Sequence, residues 1–335
     1  MSITKRSLST YILSDDESHR IFQEQIIPAE LGHLQHPGNA DHRDRPPVAV
    51  FVIGKTGAGK TRTAPAIKEV MQARRGEPAH LIADTFKAFH PAYSQLISSE
   101  TPDLASPATG TDARRWLAMA VSHVIECRAD VLVESACRHP EDFAELARAL
   151  HDAGRYRVEV VVLAVPAALS RLGVLTRYHE RLPEAGSRGL PIRLTPRKVH
   201  DDSYAGLVDA ARFVDEPGAV DQVVVVRRGN QVAYSNERVN GLWEKDGSTV
   251  AALLHERERS LPPGEQSAAC EDVKRLRELD SPGLLSEIPD IECLTSFFDA
   301  PGNKTQLRDL VLPRMSTAHV RFGTQVDLSL GLDTP

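Results

Sequence analysis

Gly54-Lys55-Thr56-Gly57-Ala58-Gly59-Lys60-Thr61 follows the apolar run Val48-Ala49-Val50-Phe51-Val52-Ile53 and opens a helix-compatible stretch that ends near Arg75. The eight residues spell G-x-x-x-x-G-K-T, and strand–loop–helix is the context in which that pattern cradles phosphate. The glycines let the backbone curl so that successive N–H groups point inward at phosphate oxygens. The helix that follows adds the positive end of its dipole. Lys60 is placed to reach the β- and γ-phosphates of a nucleotide, and Thr61 to offer a hydroxyl to Mg²⁺. The bland alternative is a Gly-rich strand-to-helix turn with no ligand, and the agreement of pattern with context speaks against it.

Outward from the loop, apolar strands alternate with helices. Strands are expected over 48–53, 79–83, 130–135, 157–165 and 221–227, and helices over 61–75, 113–128, 141–153, 167–181 and 195–214. Arg228-Gly229-Asn230 turns the fifth strand back into 231–234 as a hairpin. Near-continuous apolar strands between helices imply an α/β fold with a parallel sheet covered on both faces. Ligands then bind beyond the strand C-termini. Residues 1–47 form an N-terminal helical segment and linker. The helix is expected over 15–27, capped by Ser14 or Asp15 with Ile21, Phe22 and Ile26 on its apolar side, and the Pro/Gly/His/Asp-rich linker over 36–47. The core spans 48–240. Beyond it the pattern weakens into a mainly helical, mixed extension, 241–335, with charged, surface-lying helices over 251–260 and 265–279. The sequence says little about the role of that extension.

At 335 residues, with 41% apolar and 26% charged residues, the chain has the make-up of a globular protein with a large core. Its net charge of −6 argues against broad binding to nucleic acid or to an anionic membrane. No apolar run approaches the roughly 20 residues of a membrane span. The longest, over 158–169, contains Glu159 and Pro166 and reads as a buried strand. The N-terminus has no apolar signal-peptide core. Cys127, Cys137, Cys270 and Cys293 form no C-x-x-C pair and read as reduced, mostly packing residues of a cytoplasmic protein.

A phosphate loop alone does not separate a kinase from a GTPase or a motor. Three features favour phosphoryl transfer to a small molecule. Asp84, at the end of the second strand in Leu81-Ile82-Ala83-Asp84-Thr85-Phe86, can take a proton from an acceptor hydroxyl in line with the γ-phosphate. Capping of the next helix is its alternative role. Glu134 leaves a strand beside the loop, where it can hold Mg²⁺ through water or bind the acceptor. Arg138, four residues on, can grip an acceptor phosphate. An ordinary surface ion pair explains these two equally well. Arg177, Arg181, Arg188, Arg193 and Arg197 lie in a segment broken by Pro183, Gly186, Gly189 and Pro191, which fits a flap closing over phosphates or a solvated basic loop.

Together these segments resemble the zeta toxin family, small-molecule kinases of bacterial toxin–antitoxin systems, over roughly residues 10–235. The blocks that carry the resemblance are Leu13-Ser14-Asp15-Asp16-Glu17-Ser18-His19-Arg20-Ile21-Phe22, the phosphate loop, Asp84-Thr85-Phe86-Lys87-Ala88-Phe89-His90-Pro91 and Glu134-Ser135-Ala136-Cys137-Arg138. Leu163-Ala164-Val165-Pro166, Thr176-Arg177-Tyr178 and Arg193-Leu194-Thr195-Pro196-Arg197-Lys198-Val199-His200-Asp201 complete them. The resemblance implies a P-loop kinase-like fold. It also implies ATP and Mg²⁺, and an acceptor that is UDP-N-acetylglucosamine or a related nucleotide sugar phosphorylated on a sugar hydroxyl. By position, Asp84 becomes the general base and Lys60 the loop lysine. Arg138 and Glu134 become acceptor residues, and Arg177 and Arg193 the phosphate contacts of a lid over 177–197.

The implied partner is a small helical antitoxin, unless the N-terminal helix is itself inhibitory. The chain departs from the family where Lys55-Thr56 replaces Gln-Pro, where Ser135-Ala136 replaces a small residue plus threonine, and at Trp116-Leu117-Ala118-Met119, which lacks the acceptor glutamate. The acceptor pocket has therefore diverged. Another UDP-sugar or a dinucleotide stays open as acceptor, as does a metabolic or antibiotic-detoxifying phosphotransferase. A nucleotide-dependent switch is disfavoured, because a switch has no need of an acceptor base.

Overall fold

The computed structural model describes residues 8–35, 46–153, 155–180, 194–279, 284–287 and 308–309. Most of the expected linker, the middle of the 177–197 segment with Arg181, Arg188 and Arg193, and Cys293 lie outside the described residues. The strands are β1 (Val48–Ile53), β2 (Ala79–Ile82), β3 (Val131–Ser135), β4 (Arg157–Leu163), β5 (Gln222–Val226), β6 (Gln231–Val239), β7 (Leu242–Trp243) and β8 (Arg308–Asp309). The longer helices are α1 (Asp15–Ile21), α2 (Lys60–Arg75), α3 (Ala105–Cys127), α4 (Pro140–Arg148), α5 (Ala167–His179), α6 (Arg197–Asp215), α7 (Thr249–Glu258) and α8 (Pro263–Glu278).

Side-chain alternation along β1 sorts the helices between the two faces of the sheet. Ala49, Phe51 and Ile53 enter one core, with Trp116 of α3, Phe143 of α4 and Phe213 of α6. Val48, Val50 and Val52 enter the other, with Ile67 and Met71 of α2, Leu172 of α5 and Leu276 of α8. Every residue of β1 is buried, as expected of a central parallel strand covered on both sides. The order is β2-β3-β1-β4-β5-β6-β7, with β8 on β6. Pairing is parallel from β2 to β5 and antiparallel beyond. Ile53 lies level with Ser135, and Glu134 with both Val52 and Ile82, so the phosphate loop, Glu134 and Asp84 leave the same edge of the sheet. The P-loop kinase-like parallel sheet with helices on both faces is thus the observed architecture.

Ser14 caps α1 by accepting from Glu17 N at 3.3 Å. The helix then continues to Leu31 in wider π turns that contain Pro28. Proline has no N–H to donate and its ring crowds the preceding turn, so a wider turn relieves both. Ile21, Phe22, Ile26, Ile27 and Leu31 all enter the core shared with β1. Trp116, fully buried, donates from its indole to Ser18 O at 2.9 Å. The helix therefore covers one flank of the sheet, the bland role of an amphipathic helix. Deleting residues 1–46 removes these five and Leu34, six buried apolar side chains worth about 1.5–3 kcal/mol each, a sum comparable to a whole domain's stability. The expected outcome is insoluble protein, read by solubility and Tm; a soluble truncated chain with the full-length Tm would contradict it.

Three sequence expectations change. Helix α3 begins at Ala105, eight residues before its expected start. Pro107 falls in its first turn, where no N–H is missed, and a side chain at Gly110 would meet nothing within 4 Å. The helices of the extension are not merely surface-lying. Leu253, Ala269 and Leu276 are buried, and their charged neighbours are paired: Glu256 holds Arg227 of the β5–β6 turn and Arg259, and Arg259 also holds Glu265. Of the cysteines, Cys137 is buried whereas Cys127 and Cys270 are exposed, so these two do not serve packing.

Candidate active site

The loop after β1 takes its shape from two glycines in the left-handed region, Gly57 at φ 81° and Gly59 at φ 109°. A Cβ on Gly57 would lie 2.1 Å from Ser170 O of α5, so only glycine fits there. Gly54 N donates to Ser135 O at 3.1 Å and Ala58 N to Lys55 O at 3.2 Å, which fixes the loop to β3 and curls it over the N-terminus of α2. Arg228 braces the arch from outside, donating to Gly57 O at 2.8 Å and Leu169 O at 2.9 Å. Thr61 lies in the first turn of α2, half-buried. Lys55 is fully buried and turns its side chain into the interior, towards Val165 O.

Lys60 donates to Gly54 O at 2.5 Å and to Lys55 O at 3.4 Å. Burial pushes its ammonium below the ordinary lysine range. Glu134, Cys137 and Asp84 pull it back up, and Arg177 pushes it further down. These opposing fields place Glu134, Asp84 and Arg177, from three different elements, around one lysine at the C-terminal edge of the sheet.

Asp84 sits in the first turn of the short helix Ala83–Phe86, two residues past β2, with about half its side chain exposed. Its Oδ1 pairs with Lys87 Nζ, and the same ammonium donates to Ser106 Oγ of α3 at 2.7 Å. Glu134 Oε1 lies 2.8 Å from His80 Nε2 on β2, and both side chains are nearly buried. Arg138 is exposed at the mouth, its Nε 3.6 Å from Asp202 of α6. Arg177 occupies the last turn of α5; Arg193 lies outside the described residues. Between Glu134 and Arg138, Cys137 holds a left-handed backbone at φ 49° and packs against α6, where a Cβ on Gly206 would meet its carbonyl at 2.0 Å. Burial pushes the Cys137 thiol up to about 12, so it is no nucleophile here.

Sequence reasoning missed Lys87, His80, Ser106 and Arg228. Lys87 was legible in principle, because a residue three positions after Asp84 on a helical turn faces it. His80 meets Glu134 only through the β2–β3 register. The α3 stretch that lacks the family's acceptor glutamate serves the core through Trp116. The buried carboxylate of α3, Asp112, faces the N-terminal segment, 3.3 Å from both Leu13 N and His90 Nε2.

The zeta toxin profile matches residues 35–239. The chain belongs to the zeta toxin family. That family consists of P-loop kinase-like phosphotransferases, and its profile ends where β6 ends. Among solved structures, the fold is similar to the PezAT chromosomal toxin–antitoxin system of Streptococcus pneumoniae, with a TM-score of 0.58 and 20% identity over 80% of this chain and 98% of that one. It is also similar to the AvrRxo1-ORF1:AvrRxo1-ORF2 complex with sulphate ions, with a TM-score of 0.51 and 15% identity over 90% of this chain and 96% of that one. No curated protein matches the chain. Among the described residues no helix is long and apolar enough to cross a membrane.

Proposed function

We propose that this zeta toxin family member is a Mg²⁺- and ATP-dependent kinase that phosphorylates a hydroxyl of a nucleotide-sugar-like acceptor, UDP-N-acetylglucosamine or a relative. One observation supports the reading: the phosphate loop, Glu134 and Asp84 leave the same edge of the sheet, where Glu134, Asp84 and Arg177 all act on the loop lysine. Loop amides and Lys60 hold the β- and γ-phosphates. The Thr61 hydroxyl and the Glu134 carboxylate suit Mg²⁺, which takes oxygen ligands, keeps several waters and relies on the phosphates for the rest. Bound Mg²⁺ neutralises charge on the phosphates.

Asp84 accepts the acceptor hydroxyl proton as the oxygen bonds to the γ-phosphorus. The bond to the bridging oxygen breaks, and ADP leaves with the electron pair. Arg177, and Arg193 with it, bears the charge spread over the equatorial oxygens, a task suited to a planar guanidinium. Arg138 can exchange its long contact with Asp202 for an acceptor phosphate.

A partner antitoxin is part of the same reading, supported by the likeness to a toxin–antitoxin system. Incubation with ATP, Mg²⁺ and a pool of nucleotide sugars and dinucleotides should yield one species heavier by a single phosphate in mass spectrometry. ATP hydrolysis that proceeds equally without any acceptor would sink the kinase reading and favour a switch. A phosphorylated dinucleotide would keep the kinase and replace the acceptor.

A further inference from the structure

Lys55 is an ionisable side chain sealed inside the fold. Its side chain is fully buried, yet among the described residues no carboxylate binds it. Nζ donates to Val165 O at 2.5 Å, just past the end of β4, and stands 3.8 Å from the centroid of the Tyr204 ring on α6. Arg257 of α7 approaches the same ring, its guanidinium carbon 3.7 Å from the centroid. Arg257 is 6% exposed, and its Nε and one Nη have no hydrogen-bond partner among the described residues, where the aromatic face is the main compensation for its burial. The preceding helical turn of α6 holds His200, which meets Ser170 Oγ of α5 at 2.8 Å and Asp201 at 3.0 Å. The rising limb of the phosphate loop, the root of α5, helix α6 and helix α7 thus converge on one amine and one ring.

We propose that Lys55 is a positioning residue for phosphate transfer: it ties the phosphate loop to Val165 and, through the Tyr204 ring, to Arg257, so that helix α7 sets the shape of the loop that grips ATP. The idea rests on the kinase reading and gives the segment beyond residue 239, where the family profile ends, a part in that site. The surroundings explain why an amine works there. Burial, then Arg257 and Arg228, hold Lys55 down at about 5, against a weaker pull upwards from Asp201. At neutral pH it is an uncharged donor, and it needs no counter-ion. His200, also pushed down by burial, adds no charge at that pH. A charge forms on Lys55 only as acid is added. The unfolded chain holds more protons than the folded one between about 5 and the ordinary lysine range, so this residue removes stability as pH falls through that window.

The test is ATP affinity of the full-length protein, which needs no acceptor, measured by calorimetry for Lys55→Met, Arg257→Met and the double variant. Each single change should weaken ATP about tenfold, the worth of one lost buried interaction, and raise KM for ATP more than it lowers kcat. The double variant should fall well short of the product of the two, because both act through one ring. The fall in Tm between pH 7 and pH 5 should also be shallower in Lys55→Met. Folded Lys55→Met that binds ATP like wild type, or two effects that simply multiply, would overturn the proposal. Should Lys55→Met not fold, Arg257→Met decides: unchanged ATP affinity removes the link to α7. Wild-type protein that binds no ATP would defeat the kinase reading and this proposal together, whereas wild-type binding with indifferent variants would defeat the proposal alone.

Discussion

Asp84→Asn lowers acceptor phosphorylation by about 10²–10⁴-fold while ATP still binds. The substitution keeps the shape of the side chain and a carbonyl oxygen for Lys87, but an amide does not take up the acceptor's proton. Asp84 is half exposed on a four-residue helix and belongs to neither core, so the fold has little stake in its charge; its ion pair with Lys87 is of the kind worth about 0–1 kcal/mol. Tm should therefore stay near that of wild type. The informative comparison is between ATP affinity by calorimetry and single-turnover transfer to the acceptor. Loss of both together would make Asp84 a metal-binding or structural residue and leave the chain without a base. If the acceptor is a nucleotide sugar needed for the cell wall, the same substitution should relieve toxicity on expression in bacteria.

Lys60→Ala lowers transfer by about 10²-fold or more, and ATP affinity falls with it. The ammonium leans on Gly54 O and Lys55 O, carbonyls of the loop itself, in the field of Glu134 and Asp84. Phosphate oxygens arriving at the loop give that charge a stronger partner. Nothing in either core depends on this side chain, and burial already disfavours its charge. A folded variant with an unchanged or slightly higher Tm is therefore expected. Near-wild-type transfer by that variant would remove the kinase assignment, since among the described residues the lysines beside the site are otherwise engaged: Lys55 is sealed inside and Lys87 is held by Asp84 and Ser106.

What the sequence made legible was local. The phosphate loop declares itself in eight consecutive residues, and the parallel sheet in strands whose apolar runs leave no polar face. Asp84 and Glu134 were reached by their positions at strand ends, which the sheet register brings to one edge, and Arg177 through the Arg-rich segment and the family resemblance. What stayed hidden is made by distance along the chain. Trp116 meets Ser18 across 98 positions and Arg228 meets Gly57 across 171, and no periodicity announces such contacts. Helix α7 was misjudged because charged residues read as solvated. Glu256 and Arg257 are buried all the same, the first between Arg227 and Arg259 and the second against Tyr204. The start of α3 was lost to Pro107 and Gly110, which look like breakers but occupy the two kinds of place a helix tolerates them.

The outermost strand has a neighbour of its own at either end. Beyond β5, β6 is flanked near Val239 by β7 of its own hairpin and near Gln231 and Val232 by β8, which returns from residues 308–309. A sheet margin with unpaired amides and carbonyls invites a strand from another molecule. Here the protein supplies its own selvedge, partly from far downstream. Chains cut short before residue 308 would present a raw margin at Gln231–Val232, and the first sign would be a slow, concentration-dependent growth of oligomers rather than a loss of ATP binding.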